Sequence, residues 1–210
     1  MLLLINILTG LLLSASAAAN ITIPGATADF SASSPIAAAA VAPLEAVIPD
    51  VPFYSQFRDI REAQWRKLSC GVASLAMVIN FYKPGTVSPD TLLNQGIAAG
   101  AYIKDAGWSH WGLISLAKKY GLQGEPVDLS GLNSDVAFAR LKKFLRKGPV
   151  IASVHYKFEP QNPIPHLVVI NGVSGDTVFY NDPAAPSGGK SISAQNFLKA
   201  WKKRLISIHS

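Results

Sequence analysis

The sequence predicts an α+β domain in which helices come first and antiparallel strands follow. Three observations carry that prediction. Apolar stretches of helical length, punctuated by capping residues and by Gly or Pro, fill positions 68–147. Shorter β-branched and aromatic runs, separated by turn residues, occupy positions 149–182. Helical patterns grouped before strand patterns, rather than alternating with them, mark α+β architecture.

The elements follow in order. Val51 to Phe57 reads as a short strand or an extended lead-in. LSCGVASLAMVINFY, Leu68 to Tyr82, is apolar almost throughout and is bounded by Lys83-Pro84-Gly85, which predicts a helix buried on most sides. Ser69 is a suitable N-cap for it and puts Cys70 at the first helical position. Ser88 and Pro89 open a second helix, with Pro where a missing N–H is harmless. A third spans about Ser109 to Tyr120 and stops at Gly121; a fourth, amphipathic, spans Ser134 to Lys147 before Gly148-Pro149. PVIASVHY, HLVVINGV and DTVFYND then read as strands, followed by a short helix from Ser193 to Trp201 and a last strand, RLISIH.

Two zones precede this domain. Met1 to Ala19 is an apolar run ending in small residues, the pattern of a secretory signal peptide, although no Lys or Arg precedes its core. A membrane anchor is the rival reading, weakened by shortness and by Gly10, Ser14 and Ser16. Residues 20–49 are rich in Ala, Ser and Pro and read as a tether or a propeptide. The domain proper is 50–210, and its expected location is secreted or periplasmic, at the cell envelope.

Charge concentrates in that domain. From Asp50 onward there are 19 basic against 11 acidic residues, a balance of +8. Arg140, Lys142, Lys143, Arg146 and Lys147 share one helix, and Lys199, Lys202, Lys203 and Arg204 lie near the end. Solvated faces explain such clusters most simply; attraction to an anionic envelope surface is the functional alternative. No nucleic-acid motif accompanies the charge, so no nucleic-acid partner is expected. No Cys or His pair has metal-ligand spacing, and no metal or other cofactor is expected.

Cys70 is the only cysteine, so no internal disulfide explains it. Packing as a small apolar residue is one account of it. Catalysis is the other, because the first turn of a helix favours the thiolate through unpaired N–H groups and the helix dipole. Gly71 beside it would let a substrate approach the backbone. A nucleophile needs a base, and the candidates are His110, His155, His166 and His209. A three-residue loop Val173-Ser174-Gly175 would pair Gly172 with Asp176 and set His166 opposite Asp182, on one face. The carboxylate could then orient the imidazole, the third role of a triad. A loop one residue longer would put the two on opposite faces, so this assignment rests on register. Trp108, His110 and Trp111 read as a cleft wall, or as packing anchors at a helix start.

VPFYSQ, W-x₄-CGVASLAMVINFY, GWSHWGLISLAKKYGL, GPVIASV, HLVVINGV, YNDPA and FLKAW, in this order, resemble the double-glycine-leader peptidase-like domains of the papain-like cysteine peptidases. The likeness covers about Val51 to Trp201. It implies a papain-like fold, an N-terminal helical lobe followed by an antiparallel β-sheet lobe. It also implies Cys70 as nucleophile, His166 as base, Asp182 as its orienter and Gln56 as an oxyanion-hole donor. The implied reaction is thiol-dependent hydrolysis of a peptide or related amide through a thioester, by a monomer acting on a peptide or protein. The family's best-understood members precede a transporter and cut export leaders inside the cell; this chain resembles a stand-alone exported member, so cleavage after Gly-Gly is not carried over. Two other readings compete: a non-catalytic binding module for an envelope peptide or polymer, and an acyltransferase or transglutaminase with the same three residues.

Overall fold

The structure is a computed structural model, and it describes residues 48–210. The expectations for residues 1–19 and for 20–47 lie outside the described residues.

The chain enters along Val51–Ser55 without joining a strand ladder, then turns at Gln56–Ser69 through a 3-10 segment, Ala63–Leu68. Helix α1, Cys70–Tyr82, follows, and its residues Gly71 to Asn80 are all buried. Pro84 prevents its continuation, and Gly85 at φ +70° turns the chain away. Helix α2, Pro89–Ala98, is capped by Ser88, whose Oγ accepts the Thr91 N–H. A small hairpin, β1 Tyr102–Ile103 with β2 Gly107–Trp108, leads into α3, His110–Lys118, capped in the same way by Ser109.

Strand β3, Gln123–Asp128, comes next, then α4, Ser134–Leu145. β4 is Val150–His155, β5 Pro165–Ser174, β6 Thr177–Asn181 and β7 Lys190–Ser193; α5, Ala194–Ala200, leads into β8, Trp201–His209. The six long strands form one sheet in the order β3-β8-β4-β5-β6-β7, with every neighbour antiparallel.

β3 corrects the expectation that strands begin only after the fourth helix. Pro126 and Gly124 hide it in the sequence, since both weaken a strand pattern. It forms because it lies at the sheet edge, where a proline's missing N–H costs no ladder bond. Helix α4 starts at Ser134 as expected, capped by Asn133, whose Oδ1 accepts the Val136 N–H at 2.9 Å.

Both faces of the sheet are covered, which explains why its central strands are apolar without alternation. One face carries Ile151, Leu167, Val169, Ile206 and Ile208 against α1, α2 and α3. The other carries Val150, Ala152, Val168, Ile170 and Leu205 against α4 and α5, with Phe197 at the centre. Each fully buried Leu, Ile or Phe contributes about 1.5–3 kcal/mol. α1 is tied to the sheet by a polar bond too, Ser74 Oγ to the Leu167 carbonyl at 3.2 Å. The start of α1 is thereby held against the beginning of β5, where His166 sits.

Candidate active site

Cys70 is the first residue of α1 and is half-buried. Ser69 stands at the cap position, but its hydroxyl does not cap the helix: Oγ donates to the Trp65 carbonyl at 2.8 Å. This corrects the expected side-chain cap, and it leaves the first N–H groups of α1 without one, as an anion-accepting helix start requires.

His166 lies on β5 opposite Val154 of β4 and is almost fully buried. Its Nε2 is 2.6 Å from Asp182 Oδ1. The other ring nitrogen, Nδ1, remains for the thiol side, and Cys70 and His166 line the same cleft. Burial, the largest influence on this imidazole, acts to lower its pKa. It is outweighed by the bond to Asp182 and by the nearby Cys70 thiol, together with the charges of both, which raise the pKa to about 9. Tyr156 meets the ring edge-on, with centroids 5.1 Å apart, and shields it from water. Asp182 is fixed in turn, because Oδ1 also accepts the Ala184 N–H at 2.8 Å.

The register that joins these two residues differs from the expected one. The β5–β6 turn is a two-residue loop, Gly175-Asp176, with Ser174 opposite Thr177 and Gly175 at φ +52°. Continued regularly, that register would set Asp182 opposite Val169 and on the far face from His166. Asn171 is skipped as a β-bulge, the pairing resumes with Ile170 opposite Tyr180, and the parity is restored. His166 and Asp182 then meet diagonally on one face.

Gln56 is buried beside the Asp182 loop, its backbone N–H donating to the Pro183 carbonyl at 2.9 Å. Its side-chain Nε2 donates to the Arg66 carbonyl at 2.9 Å, which fixes the amide's orientation and engages one of its two N–H bonds. Its Oε1 is buried without a partner. Asn181 clamps the same region, Nδ2 to the Val51 carbonyl and Oδ1 from the Gly189 N–H.

Cys70 and His166 open onto a cleft of about 310 Å³ whose walls include Trp108, His110, Lys202 and Arg204. A larger hollow of about 700 Å³, lined by Tyr82, Arg146 and Asn171 among others, shares no residue with it and contains no cysteine or histidine. Trp108 is a buried wall, its Nε1 bonded to the Leu68 carbonyl at 2.7 Å, whereas Trp111 is 62% exposed. A Cβ on Gly71 would lie 2.7 Å from Trp108. Room for the indole accounts for Gly71, which is not among the residues lining the cleft. His110 Nε2 is 3.1 Å from Ser153 Oγ. Burial, then the nearby Arg204 charge, hold its pKa below the usual histidine range.

Of the other histidines, His155 is engaged with the Asn162 carbonyl and His209 with the terminal Ser210. Sequence reasoning missed Ser153, Tyr156, Lys202 and Arg204. The first two sit inside strand patterns with no chemical motif, and the cations look like any basic cluster. Among the described residues no group of three or more His, Cys, Asp or Glu is arranged to hold a metal.

A model of the Peptidase_C39 like family matches residues 48–205. No curated protein matches the chain. Among solved structures, a double glycine motif protease from an AMS/PCAT transporter, in complex with the leader peptide, is 26% identical with a TM-score of 0.52. That match covers 76% of this chain and 91% of the other. A C39-like peptidase structure from Bacillus anthracis is 20% identical, with a TM-score of 0.58, covering 80% of this chain and 98% of the other. The peptidase domain of Streptococcus ComA, a bifunctional ABC transporter of a quorum sensing pathway, is 18% identical, with a TM-score of 0.50, covering 68% and 92%. The last two share the fold.

Proposed function

The chain belongs to the Peptidase_C39 like family and is a cysteine peptidase, and from that premise we propose that it cuts peptide or related amide bonds with Cys70 as nucleophile. The observation that carries the reading is that Cys70, at the first turn of α1, and His166 line one cleft, with Asp182 2.6 Å behind the imidazole.

The thiolate sulfur of Cys70 attacks the scissile carbonyl carbon, forming a C–S bond and moving the carbonyl π pair onto oxygen. The oxyanion meets the backbone N–H of Cys70 and the second N–H of Gln56. His166, protonated at Nδ1 and held by Asp182 at Nε2, gives its proton to the leaving amine nitrogen as the C–N bond breaks. A thioester on Cys70 remains. Water attacks it, His166 accepts the water's proton, and C–S cleavage returns the thiolate with a free acid as product.

A peptide substrate is supported by the likeness to the protease solved with its leader peptide. Export through residues 1–19, and action at the cell envelope as a monomer, belong to the same proposal. The test is hydrolysis of a mixed set of internally quenched peptides by the full chain, Cys70→Ser and Cys70→Ala, with and without an added amine. Hydrolysis lost in both variants, with free acid as the wild-type product, supports the proposal. Full activity of Cys70→Ala overturns it, and amine-linked product as the main species overturns hydrolysis in favour of acyl transfer.

A further inference from the structure

The geometry points to a carboxylate next to the scissile bond as the group this cleft selects, held by Lys202 and Arg204. This rests on the peptidase reading of Cys70 and names what the same cleft accepts.

The β4–β8 ladder is irregular beside the cleft. Ser153 pairs with Arg204, but the next residue of β4, Val154, pairs with Trp201. Lys202 and Lys203 are therefore surplus on β8. Lys203 takes up the bend with φ +54°, a left-handed conformation that costs a non-glycine residue free energy. It is locked there: its carbonyl accepts the Leu129 N–H at 2.8 Å, and its ammonium donates to the Leu132 carbonyl at 2.6 Å. Bulges of this kind re-aim side chains and occur next to active sites. The residues on either side, Lys202 and Arg204, both line the cleft that holds Cys70 and His166.

The charges in the cleft are unbalanced. Among the described residues no Asp or Glu lines it. Lys202 lies within ion-pair distance of no carboxylate among the described residues. Arg204 spends its Nε on Asp128, at 3.1 Å, and keeps the terminal nitrogens of its fork for another acceptor. His110, on the same wall, is kept uncharged near neutral pH by burial and by Arg204, so it adds hydrogen bonding without charge. A carboxylate on a bound substrate would supply the countercharge. An acidic side chain and a free terminal carboxylate both present it, and the arms below separate them.

The test uses the full chain and alkylation of Cys70, followed by intact mass, so that no natural substrate is needed. The rate with iodoacetate, which carries a carboxylate, is divided by the rate with neutral iodoacetamide. The ratio in Lys202→Gln/Arg204→Gln is expected to fall about fivefold below wild type, to fall further in Lys202→Glu/Arg204→Glu, and to be retained in Arg204→Lys. A ratio unchanged in the folded Gln and Glu variants overturns the inference alone. Slow iodoacetamide alkylation that ignores His166→Ala overturns both it and the peptidase reading. Protection of Cys70 is then compared for three short peptides: end-capped with one Asp, neutral with a free C-terminus, and end-capped neutral. Stronger protection by the first or the second identifies the source of the carboxylate, and equal protection by all three overturns the inference.

Discussion

His166 and Asp182 share a face of the sheet because Asn171, between them along the chain, has no partner in the β5–β6 ladder. The turn fixes one register, and the bulge shifts it by one residue before the strand reaches His166. The 2.6 Å contact between Nε2 and Oδ1 follows from that shift.

The pH dependence of catalysis follows from this contact. In the proposed mechanism His166 must carry its proton to deliver it to the leaving nitrogen, and its pKa stands at about 9. Activity is therefore expected to hold through neutral pH and fall by half near pH 9. In Asp182→Asn the strongest raising influence is lost, and the alkaline limb should move toward the ordinary histidine value of about 6.5. The kcat/KM profile of both proteins checks this; an unmoved limb in Asp182→Asn contradicts it.

Stability should show the same proton. Because the folded pKa of His166 exceeds its unfolded one, the charged ring's contribution is complete below about pH 6.5 and is lost as pH rises through about 9. Denaturant midpoints measured across that window should decline in wild type and stay flatter in His166→Gln.

Much of this site was legible in the sequence, for physical reasons. A lone cysteine after a capping-type residue and before an apolar run marks a helix start, so the position of Cys70 could be read locally. His166 and Asp182 sit at a strand's beginning and end, and the parity of their pairing was right although its register was not. A bulge at Asn171 has no sequence signature, since it trades one ladder bond for a bend. Lys202 and Arg204 were unreadable for a similar reason: a basic cluster reveals nothing about which cation a bulge turns inward. β3 was missed because Pro126 argues against a strand unless the edge position is known.

Gln56 is a position where activity and stability should separate. Replacing it by Met removes the proposed oxyanion donor, expected to cost about 10²–10³-fold in kcat. The fold loses one neutral hydrogen bond, worth about 1 kcal/mol, and is relieved of the unpaired buried Oε1, worth a similar amount. Tm should stay within a few degrees of wild type while turnover collapses; a large loss of Tm would assign Gln56 to structure.

Gly71 should behave in the opposite way. An added methyl at Gly71→Ala meets Trp108 at 2.7 Å, and overpacking of a buried site costs about 1–3 kcal/mol. Thermal unfolding should report that loss. Combining it with Trp108→Leu should recover part of it, since the smaller side chain vacates the space; no recovery would mean that the clash lies elsewhere.

Activation of Cys70 through His166 is read out by the rate of Cys70 alkylation by iodoacetamide at pH 6. Intact mass spectrometry of the full chain should show wild type alkylated at least tenfold faster than His166→Ala, a gap of about 1.4 kcal/mol in activation free energy. Asp182→Asn should fall between them. Equal rates in wild type and His166→Ala would contradict the account.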